Sequence, residues 1–407
     1  MHILLVHQSF AAFDEAGGTR HFELARYLAQ RGDRITIIAS PVSYITGKAR
    51  SQRVRWVEKQ TVDERITILR TYTYPALHKS FFHRLLGFIS FMISSFLVGL
   101  SVREVDIVWG SSPPIFQGFT AWLLAWLKRV PFLFEIRDLW PAFAIALGVL
   151  RNPLLIAASN GLERFLYRRA DRVMVNSPGF IPHVTARGAR WVELVPNGAD
   201  PDMFSPEAES GDFRSRNGLE DAYVALYAGA HGMANDLSVL LDAAQQLQAE
   251  PRIRIVLVGD GKEKAALQQR ARAEGLENVL FLPPVPKEGM PAVLAAADCC
   301  IGILKPIELF KTTYPNKIFD YMAAGRPVIL CIDGVIREVV ESAQAGIFVP
   351  PGQSALLAEA IQTLANDPQR GCRMGRSGRE YVIRHFNRIK IAQQLALLLD
   401  DMRRTDG

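Results

Sequence analysis

The chain has 407 residues, of which 49% are hydrophobic and 22% charged, so it is a globular protein too long for a single hydrophobic core. No low-complexity run or internal repeat occurs, and the length fits two domains of about 200 residues each. The net charge of +6 comes from the first half, because residues 1–200 hold 24 Lys and Arg against 15 Asp and Glu. This excess suits an anionic partner or surface, such as membrane lipid, phosphate or nucleic acid, or it is a solvated face without a role.

Apolar runs alternate with helical patterns through the first half, in HILLVHQ, RITIIAS, VDIVWGS, PFLFEIRD and RVMVNSP. Such alternation is typical of a parallel sheet covered by helices on both faces. The first run lacks the basic start and cleavage site of a signal peptide and is predicted to be a strand. A cytoplasmic protein is also indicated by the cysteines, which have no paired metal-ligand spacing: Cys299, Cys300, Cys331 and Cys372.

One apolar segment, residues 85–102, stands apart within this half. Its eighteen residues carry no charge, and His78, Lys79, His83 and Arg84 precede it. The length just reaches that of a membrane span, and a buried helix is a further alternative. We favour a helix that dips into the membrane surface, because basic flanks and bulky apolar side chains are typical of such helices. Its aromatic side chains form a loose face at Phe88, Phe91 and Phe96.

The second half repeats the alternation, in YVALYAGA, IRIVLVGDG, NVLFLPPV, DCCIGILK, PVILCI and AGIFVP. A stretch rich in Pro, Asn, Gly and Asp, residues 195–206, is predicted to link the two halves. We therefore predict an α/β protein of two doubly wound domains, residues 1–195 and 196–384, with a final helix over about residues 385–407 packing back on the first. In this architecture ligands bind at the carboxyl ends of the strands, here in a cleft that both domains face.

Two helix starts in the second half follow glycine-rich turns. In YAGAHGMANDL, small residues near Gly229, His231 and Gly232 let a phosphate approach the backbone. In LVGDGKEKAAL, Gly259 is followed by Lys262 and Lys264 in the first helical turn. Cations there oppose the helix dipole, so they indicate a nearby anion or are solvated lysines.

A third helix start lies in YPNKIFDYMAAGRPVIL, residues 314–330. Pro315 precedes the helix, Asn316 and Lys317 lie at its start, and Asp320 follows one turn later. Three such starts on neighbouring strands predict a diphosphate site, because unpaired N–H groups and the dipole favour anions there.

These segments resemble a known family. The stretches VPNGAD, VGDGKEK and PNKIFDYMAAGRPVI, with WGSSPPIF and PFLFEIRDLW in the first half, are similar to family 4 of the retaining glycosyltransferases, which have the GT-B fold. Within it they resemble a branch of bacterial surface-polysaccharide synthesis that includes fucosyl- and N-acetylfucosaminyl-transferases. The resemblance spans nearly the whole chain.

The resemblance implies a nucleotide-sugar donor in the second domain and an acceptor in the first. Family members carry two Glu eight positions apart, of which the second binds the ribose; Asp320 matches the second, whereas Thr312 stands in place of the first and Glu308 is nearby. The family's Arg and Lys near the glycine turn are absent, so we expect Lys317, with Lys262 or Lys264, to supply the cation for the leaving diphosphate. Further donor contacts are expected from Pro284, Val285, Thr312, Thr313, Tyr314, Pro315 and Asn316.

In the first domain, many relatives have a His where this chain has Arg137, which Asp138 follows. Asp138 is expected to orient or deprotonate the acceptor hydroxyl and Arg137 to bind phosphate; the alternative is a structural Arg137–Asp138 pair. Gly17 and Gly18, with Arg20 as a weaker candidate, would contact the acceptor in the cleft. The lone histidines His7 and His231 are more often structural than catalytic.

The family implies front-face transfer with retention of configuration and no metal or other cofactor. The implied acceptor is a polyprenyl-diphosphate-linked saccharide at the inner face of a bacterial membrane. The protein is expected to bind this membrane peripherally through segment 85–102. Two other functions fit the fold: a sugar-nucleotide 2-epimerase, and a non-catalytic scaffold, which the missing first Glu suggests. No basic and aromatic pattern of a nucleic-acid-binding module occurs.

Overall fold

The computed structural model of the chain describes residues 1–43, 47, 49–50, 55–75, 81–207 and 210–405. The chain forms two compact units. The first comprises Met1–Ala12, Gly18–Pro196 and Ile389–Gly407, and the second Phe13–Gly17 and Asn197–Arg388. Each unit is an α/β domain built on a parallel sheet, which confirms the predicted fold class.

The sheet of the first unit has the strand order β3-β4-β2-β1-β5-β6-β7-β8. Neighbouring strands are parallel, except that β3 pairs antiparallel with β4 at the edge. The sequence patterns did not predict β3, β4 or β8, because β3 (VEKQT) is polar and largely exposed and β8 has three residues. The strands are β1 (His2–Val6), β2 (Arg34–Ala39), β3 (Val57–Thr61), β4 (Ile66–Thr71), β5 (Ile107–Ser112), β6 (Phe132–Ile136), β7 (Arg172–Val175) and β8 (Val192–Leu194).

The helices of this unit cover the sheet. They are α1 (Arg20–Gln30), α2 (Phe81–Ser101), α3 (Phe116–Lys128), α4 (Ala142–Ala146), α5 (Pro153–Arg169) and α6 (Ile181–Ala186). The sequence sets the start of α5: the Asn152 side chain accepts hydrogen bonds from the backbone N–H groups of Leu154 and Leu155, and Pro153 occupies the first helical position.

Helix α2 contains all but the last residue of the apolar segment 85–102 and is long and apolar enough to cross a membrane by length and composition. It packs on α3, where Gly99 lies so close to Leu124 that a Cβ would meet the leucine methyl at 2.5 Å. The other side is exposed and apolar: Leu86, Ile89, Ile93, Leu97 and Leu100. We call this stripe the α2 face. The basic residues His78 and Lys79 lie outside the described residues.

The predicted aromatic face of this segment is wrong. Phe91 is fully buried, and Phe88 stacks on Phe116 of α3 with ring centroids 5.5 Å apart. The exposed positions recur every three or four residues, as one side of a helix does, and aliphatic side chains occupy them.

The second unit has the strand order β11-β10-β9-β12-β13-β14, with all pairs parallel. Its strands are β9 (Tyr223–Ala228), β10 (Ile253–Val258), β11 (Val279–Leu282), β12 (Cys299–Ile303), β13 (Val328–Cys331) and β14 (Gly346–Phe348). Its helices are α7 (Phe213–Arg216), α8 (Ser238–Gln246), α9 (Lys264–Ala273), α10 (Met290–Ala295), α11 (Asn316–Ala323), α12 (Val335–Ser342), α13 (Ser354–Asn366) and α14 (Pro368–His385). One further helix, α15 (Arg388–Thr405), lies almost wholly in the first unit.

Both sheets reverse their winding direction at the centre. In the first unit the reversal lies between β1 and β5, and in the second between β9 and β12. Ligands of doubly wound sheets bind beyond the carboxyl ends of the strands at such points. The segments after β1, β5 and β6, and those after β9 and β10, are therefore the places to look for a site.

Candidate active site

In the second unit, the turns after β9 and β10 pack directly on one another. Gly229 and Gly259 have φ angles of +152° each, and a Cβ on Gly259 would collide with the carbonyl oxygen of Gly229. A Cβ on Gly261 would lie 2.5 Å from the carbonyl oxygen of His231. Only glycine fits this approach, so both turns present bare backbone, as phosphate sites do.

Lys317, at the start of α11, reaches these turns. A Cβ on Gly229 would collide with its ammonium group, which lies 4.0 Å from the centroid of the Tyr227 ring. Within the described residues this ammonium has no carboxylate partner. Burial lowers the pKa of Lys317 to about 7, because the surrounding protein disfavours the charged form. The structure therefore places an uncompensated cation beside two glycine turns.

Two tyrosine hydroxyls hold the backbone at the end of β9, beside this lysine. The hydroxyl of Tyr227 donates to the carbonyl oxygen of Ala230 at 2.7 Å, and that of Tyr321 bonds the backbone of Ala228. The sequence analysis did not select either tyrosine, because both lie inside apolar runs that look like ordinary core. Their hydroxyls tie α11 and the β9 turn to one strand end.

The imidazole of His231 is buried between Tyr227 and Phe281, and neither ring nitrogen has a hydrogen-bond partner among the described residues. Burial lowers its pKa to about 4, so the ring is neutral near pH 7. A Cβ on Gly259 would lie 3.2 Å from its Nε2. His231 thus adds a neutral donor and acceptor at the same strand ends.

Asp320 lies one turn into α11. Its carboxylate accepts hydrogen bonds from the Lys287 ammonium at 2.8 Å and from the Asn316 amide at 3.2 Å. Lys287 is buried and stacks over Phe204, and Arg388 donates to the amide oxygen of Asn316 at 3.0 Å. Lys287 is the residue that the sequence analysis missed here. Asp320 is therefore held by a cation before any ligand arrives, and the side chain of Asn316 is used within the protein.

The other predicted donor residues differ in how they are placed. Lys264 donates to the carbonyl oxygens of Gly259 and Leu282 at 2.7 and 2.9 Å, whereas the side chain of Lys262 is exposed. Glu308 is 85% exposed and pairs with Lys311, so it does not take the place of the missing Glu in this structure. The remaining ones lie in the surrounding turns: Gly232, Pro284, Val285, Thr312, Thr313, Tyr314 and Pro315.

Within that group the hydroxyls of Thr312 and Thr313 donate to the carbonyl oxygens of Leu309 and Phe310. Tyr314 packs on Phe319 of α11. These contacts shape the segment that leads into α11 rather than presenting side chains to a ligand.

In the first unit, Arg137 and Asp138 follow β6 but do not pair with each other, so the alternative of a structural Arg137–Asp138 pair is wrong. Arg137 donates to the Ser111 hydroxyl at 2.9 Å and to the carbonyl oxygen of Pro113 at 3.1 Å. The carboxylate of Asp138 has no hydrogen-bond or ion-pair partner within the described residues and is exposed. Surrounding protein nevertheless raises its pKa to about 6 by desolvation, which the charge of Arg137 opposes. Asp138 is thus an accessible carboxylate that titrates near neutral pH.

Arg20 is not a ligand contact, which corrects its prediction. It is buried in an ion pair with Glu135, and it donates to the carbonyl oxygen of Val195 at 2.7 Å. Glu135 is fully buried and also accepts from the His21 imidazole and from the Trp109 indole, the latter at 3.2 Å. The charges of His21 and Arg20 hold the pKa of Glu135 well below its usual range despite burial. One feature of the sequence indicates this network, because Glu135 lies at the same strand end as the selected residue Arg137.

His7 is fully buried directly after β1, with its ring 4.2 Å from that of His21. Burial and nearby arginines keep its pKa well below the ordinary value, so it is neutral. Gly17 and Gly18 precede α1, and Gly17 has a φ of +150°. Among the described residues no three His, Cys, Asp or Glu side chains come together as a metal site requires.

Comparison with known proteins identifies both halves. Residues 16–198 match a family model described as a glycosyl transferase 4-like domain, and residues 222–367 match one described as glycosyl transferases group 1. Among curated proteins, the chain is 26% identical over 318 residues to the putative colanic acid biosynthesis glycosyl transferase WcaI of Escherichia coli K12, covering 76% of this chain and 77% of that one.

Solved structures share the fold. Sucrose-phosphate synthase from Thermosynechococcus elongatus superposes with a TM-score of 0.77 at 21% identity, covering 99% of both chains. The Anabaena protein HepE, in complex with UDP and glucose, superposes with a TM-score of 0.73 at 19% identity, covering 98% of this chain and 100% of that one.

Both family models describe transferases, so the epimerase and scaffold alternatives are set aside. The chain is a glycosyltransferase of the GT-B fold, with a glycosyl transferase 4-like first half and a group 1 second half.

Proposed function

We propose that this glycosyltransferase takes a sugar of the deoxyhexose or N-acetyl-deoxyhexose class from a UDP-linked donor. The observation that carries the donor site is the ammonium of Lys317, which lies beside the glycine turns after β9 and β10 and has no carboxylate partner in the described part of the chain. A diphosphate supplies the missing negative charge, and it raises the pKa of the lysine by favouring the ammonium. The UDP in the structure of HepE, a protein of the same fold, supports this donor class.

The site residues have separate roles in this proposal. Lys317 and the bare turns bind the diphosphate, and the charge that develops on the leaving phosphate is stabilised by the lysine. Asp320, oriented by Lys287, accepts hydrogen bonds from the ribose hydroxyls. Asp138 orients or deprotonates the acceptor hydroxyl, for which a pKa near 6 suits a group acting at neutral pH.

Transfer proceeds at the front face with retention of configuration. The leaving phosphate helps to take up the acceptor proton as the sugar–phosphate bond breaks and the sugar–oxygen bond forms. The charge neutralisation that a metal ion provides in other transferases falls to Lys317, so we propose that no metal or other cofactor is needed.

The acceptor in this proposal is a polyprenyl-diphosphate-linked saccharide of bacterial surface-polysaccharide synthesis, in the branch related to fucosyl- and N-acetylfucosaminyl-transferases. The name of WcaI, which refers to colanic acid biosynthesis, supports this class of product. The enzyme acts from the cytoplasm, with the α2 face lying in the membrane surface where such lipids reside. Ile93 is 54% exposed and Leu97 49%, and apolar stripes of this kind bind bilayer interfaces.

A donor panel tests the function. The purified protein is incubated with UDP- and GDP-linked sugars, each with and without a short polyprenyl-diphosphate disaccharide, and the products are separated by mass. We expect transfer from a UDP-sugar only when the acceptor is present, without added metal and in the presence of a chelator. Proton NMR of the product then shows the same anomeric configuration as in the donor. Conversion of the sugar nucleotide alone into an isomer would contradict the proposal and indicate an epimerase.

A further inference from the structure

Two neighbouring surface cavities lie at the C-terminal end of α5, with volumes of about 250 and 460 Å³. Both are lined by Arg168, Arg169 and Arg190. The larger is also lined by Arg164, and the smaller by Trp191, which is 62% exposed. Together they form a surface that we call the arginine groove.

Four of the five guanidinium groups that line the groove have no acidic partner within the described residues; the fifth, that of Arg172, pairs with Asp401. Within the described residues, those of Arg164, Arg168 and Arg190 form no hydrogen bond or ion pair, and that of Arg169 only stacks on Phe165, 5.6 Å from its ring centroid. One carboxylate lines the smaller cavity: Asp171, whose oxygen accepts from the backbone N–H of Phe132 at 2.7 Å.

Other arginines of the same unit do have acidic partners: Arg20, Arg31, Arg34 and Arg187. Four like charges that form no ion pair within the described residues repel one another, and an anion bound among them is attracted to each.

The groove continues the apolar outer surface of the unit. Helix α5 packs on α3 through Phe165 and Trp122, with ring centroids 4.7 Å apart, and Arg169 covers the same Phe165. On the other side, α3 packs on α2, where the Lys128 ammonium donates to the carbonyl oxygen of Val102 at 2.6 Å. The outer side of α3 exposes Trp126, which is 64% accessible, one turn beyond Trp122.

Three adjacent helices thus present an apolar strip that ends in guanidinium groups. On the sheet side of α3, Gly118 lies against Phe134 of β6. Apolar side chains that enter the acyl boundary, next to cations at the level of the phosphates, are the arrangement by which a protein lies on an anionic bilayer.

We infer that the arginine groove binds the phosphate groups of anionic lipids in the leaflet on which the α2 face rests. This inference rests on the membrane contact of the proposed function and adds the group that selects the lipid. The guanidinium fork binds phosphate through two parallel hydrogen bonds, so the groove favours anionic headgroups over zwitterionic ones. The indole of Trp191 beside the cations suits the same interface, since aromatic rings collect at headgroup level.

The first test compares two triple variants of the full chain that lose the same charge. One is Arg164→Gln/Arg168→Gln/Arg190→Gln in the groove. The control is Arg370→Gln/Arg373→Gln/Arg376→Gln on α14 of the second unit, where Arg370, Arg373 and Arg376 are exposed. Partitioning onto vesicles of phosphatidylcholine, with and without phosphatidylglycerol, is measured by sedimentation at low salt. UDP binding of each variant is recorded as the check on folding.

We expect the groove variant to lose on the order of 100-fold in partitioning onto phosphatidylglycerol vesicles, since each cation at such a surface contributes about fivefold. The control stays within about threefold of wild type, and binding to pure phosphatidylcholine is unchanged in both. Wild-type binding by the groove variant, or an equal loss in the control, would overturn the inference.

A second variant separates this inference from the proposed function. Ile93→Ser/Leu97→Ser on the α2 face should weaken binding to both vesicle types, because it removes the apolar contact. If that variant loses binding while the groove variant does not, the membrane contact stands and the arginine groove is wrong. If wild-type protein binds neither vesicle, both fail together. Binding of inorganic diphosphate to each variant is measured by calorimetry. If only the groove variant loses this binding while its vesicle binding is intact, the groove binds a soluble phosphate compound and the lipid inference is overturned.

Discussion

At the scale of single residues, two titratable groups have pKa values shifted toward neutral pH at positions that sequence patterns also selected. Lys317 and Asp138 lie in different units. In each case the surrounding protein desolvates the side chain and thereby shifts its pKa. Neither forms an ion pair within the described residues. Arg20, Glu135 and Asp320 differ, because each forms an ion pair inside its own unit. Shifted and unpaired groups at strand ends are candidates for chemistry, whereas paired ones stabilise the protein.

The first prediction concerns the pH dependence of donor binding. Because the pKa of Lys317 in the empty protein is about 7, the ammonium is lost as the pH rises above that value. UDP binds the charged form, so its affinity should fall between pH 7 and pH 9 by up to about tenfold per pH unit. Lys317→Arg stays charged over this range and should show a much flatter profile. Calorimetric titration at several pH values measures both; identical profiles would show that Lys317 is not the titrating group.

The second prediction concerns turnover and Asp138. Its raised pKa means that the carboxyl is protonated below about pH 6 and able to accept a proton above it. Turnover should therefore rise with pH through about 6. Asp138→Asn should lower turnover by about 10² to 10⁴ fold, remove this rise and leave UDP affinity unchanged. A fully active variant with the same pH profile would mean that Asp138 takes no part in the transfer step.

The sequence located these residues but did not settle their neighbours. Pro315, Asn316 and Lys317 were recognisable because the proline marks a helix start, where a cation opposes the helix dipole. Lys287 was not, since nothing local shows that a lysine 33 positions away along the chain meets Asp320. Arg20 was misjudged for the same reason: its partner Glu135 is 115 positions away, and only folding brings the two together.

At the scale of elements, the clearest contrast is between the strands and α2. Continuous apolar runs indicated β1, β2, β5, β6, β7 and every strand of the second sheet, because buried parallel strands have few polar positions. Because the sequence of α2 is also continuously apolar, it did not reveal the orientation of this helix. Eighteen uncharged residues do not show which side packs; in the structure Gly99, Ser94 and Phe91 lie on the side that faces the protein.

The third prediction belongs to the strand end of β6. Glu135 joins α1 to β5 and β6 through Arg20, His21 and Trp109. Glu135→Gln leaves a buried guanidinium without its counter-ion and should lower the free energy of unfolding by about 3–5 kcal/mol. Glu104→Gln, at a carboxylate that is 82% exposed and pairs with Arg34, should cost less than about 1 kcal/mol. Urea titration of both variants compares them; equal midpoints would mean that the network adds nothing to stability.

The fourth prediction belongs to the turn after β10. In Gly259→Ala the new methyl group would collide with the carbonyl oxygen of Gly229, which is backbone and has no flexible end to move aside. The two turns must separate, so UDP affinity should fall by about tenfold or more, while stability falls by about 1–3 kcal/mol from strain at a positive φ. Gly275→Ala is the control, because its φ is also positive but no atom lies within 4 Å of the added Cβ. If both variants bind UDP equally, the packing of the turns is not part of the donor site.

At the scale of the whole molecule, the two units differ in charge and in the candidate sites that they carry. The first half holds the positive excess, the α2 face and the arginine groove, and the second half holds the glycine turns and Lys317. The order of motifs along the chain was enough to predict two Rossmann-like domains and a glycosyltransferase. The exposed residues of the α2 face and the clusters around Glu135 and Asp320 required the structure, because they depend on contacts between elements that are distant in sequence.

The account depends most on a nucleotide-diphosphate site built around Lys317 in the second unit. Calorimetric titration of UDP into the wild type, Lys317→Met and Lys59→Met at pH 7 tests it directly. Lys59 is an exposed cation on β3 of the first unit, so its loss changes the net charge equally. We predict that Lys317→Met weakens UDP binding by about 10- to 100-fold, the loss of one charged hydrogen bond, while Lys59→Met stays within about twofold of wild type. Equal affinity in all three proteins would contradict the site and the function built on it.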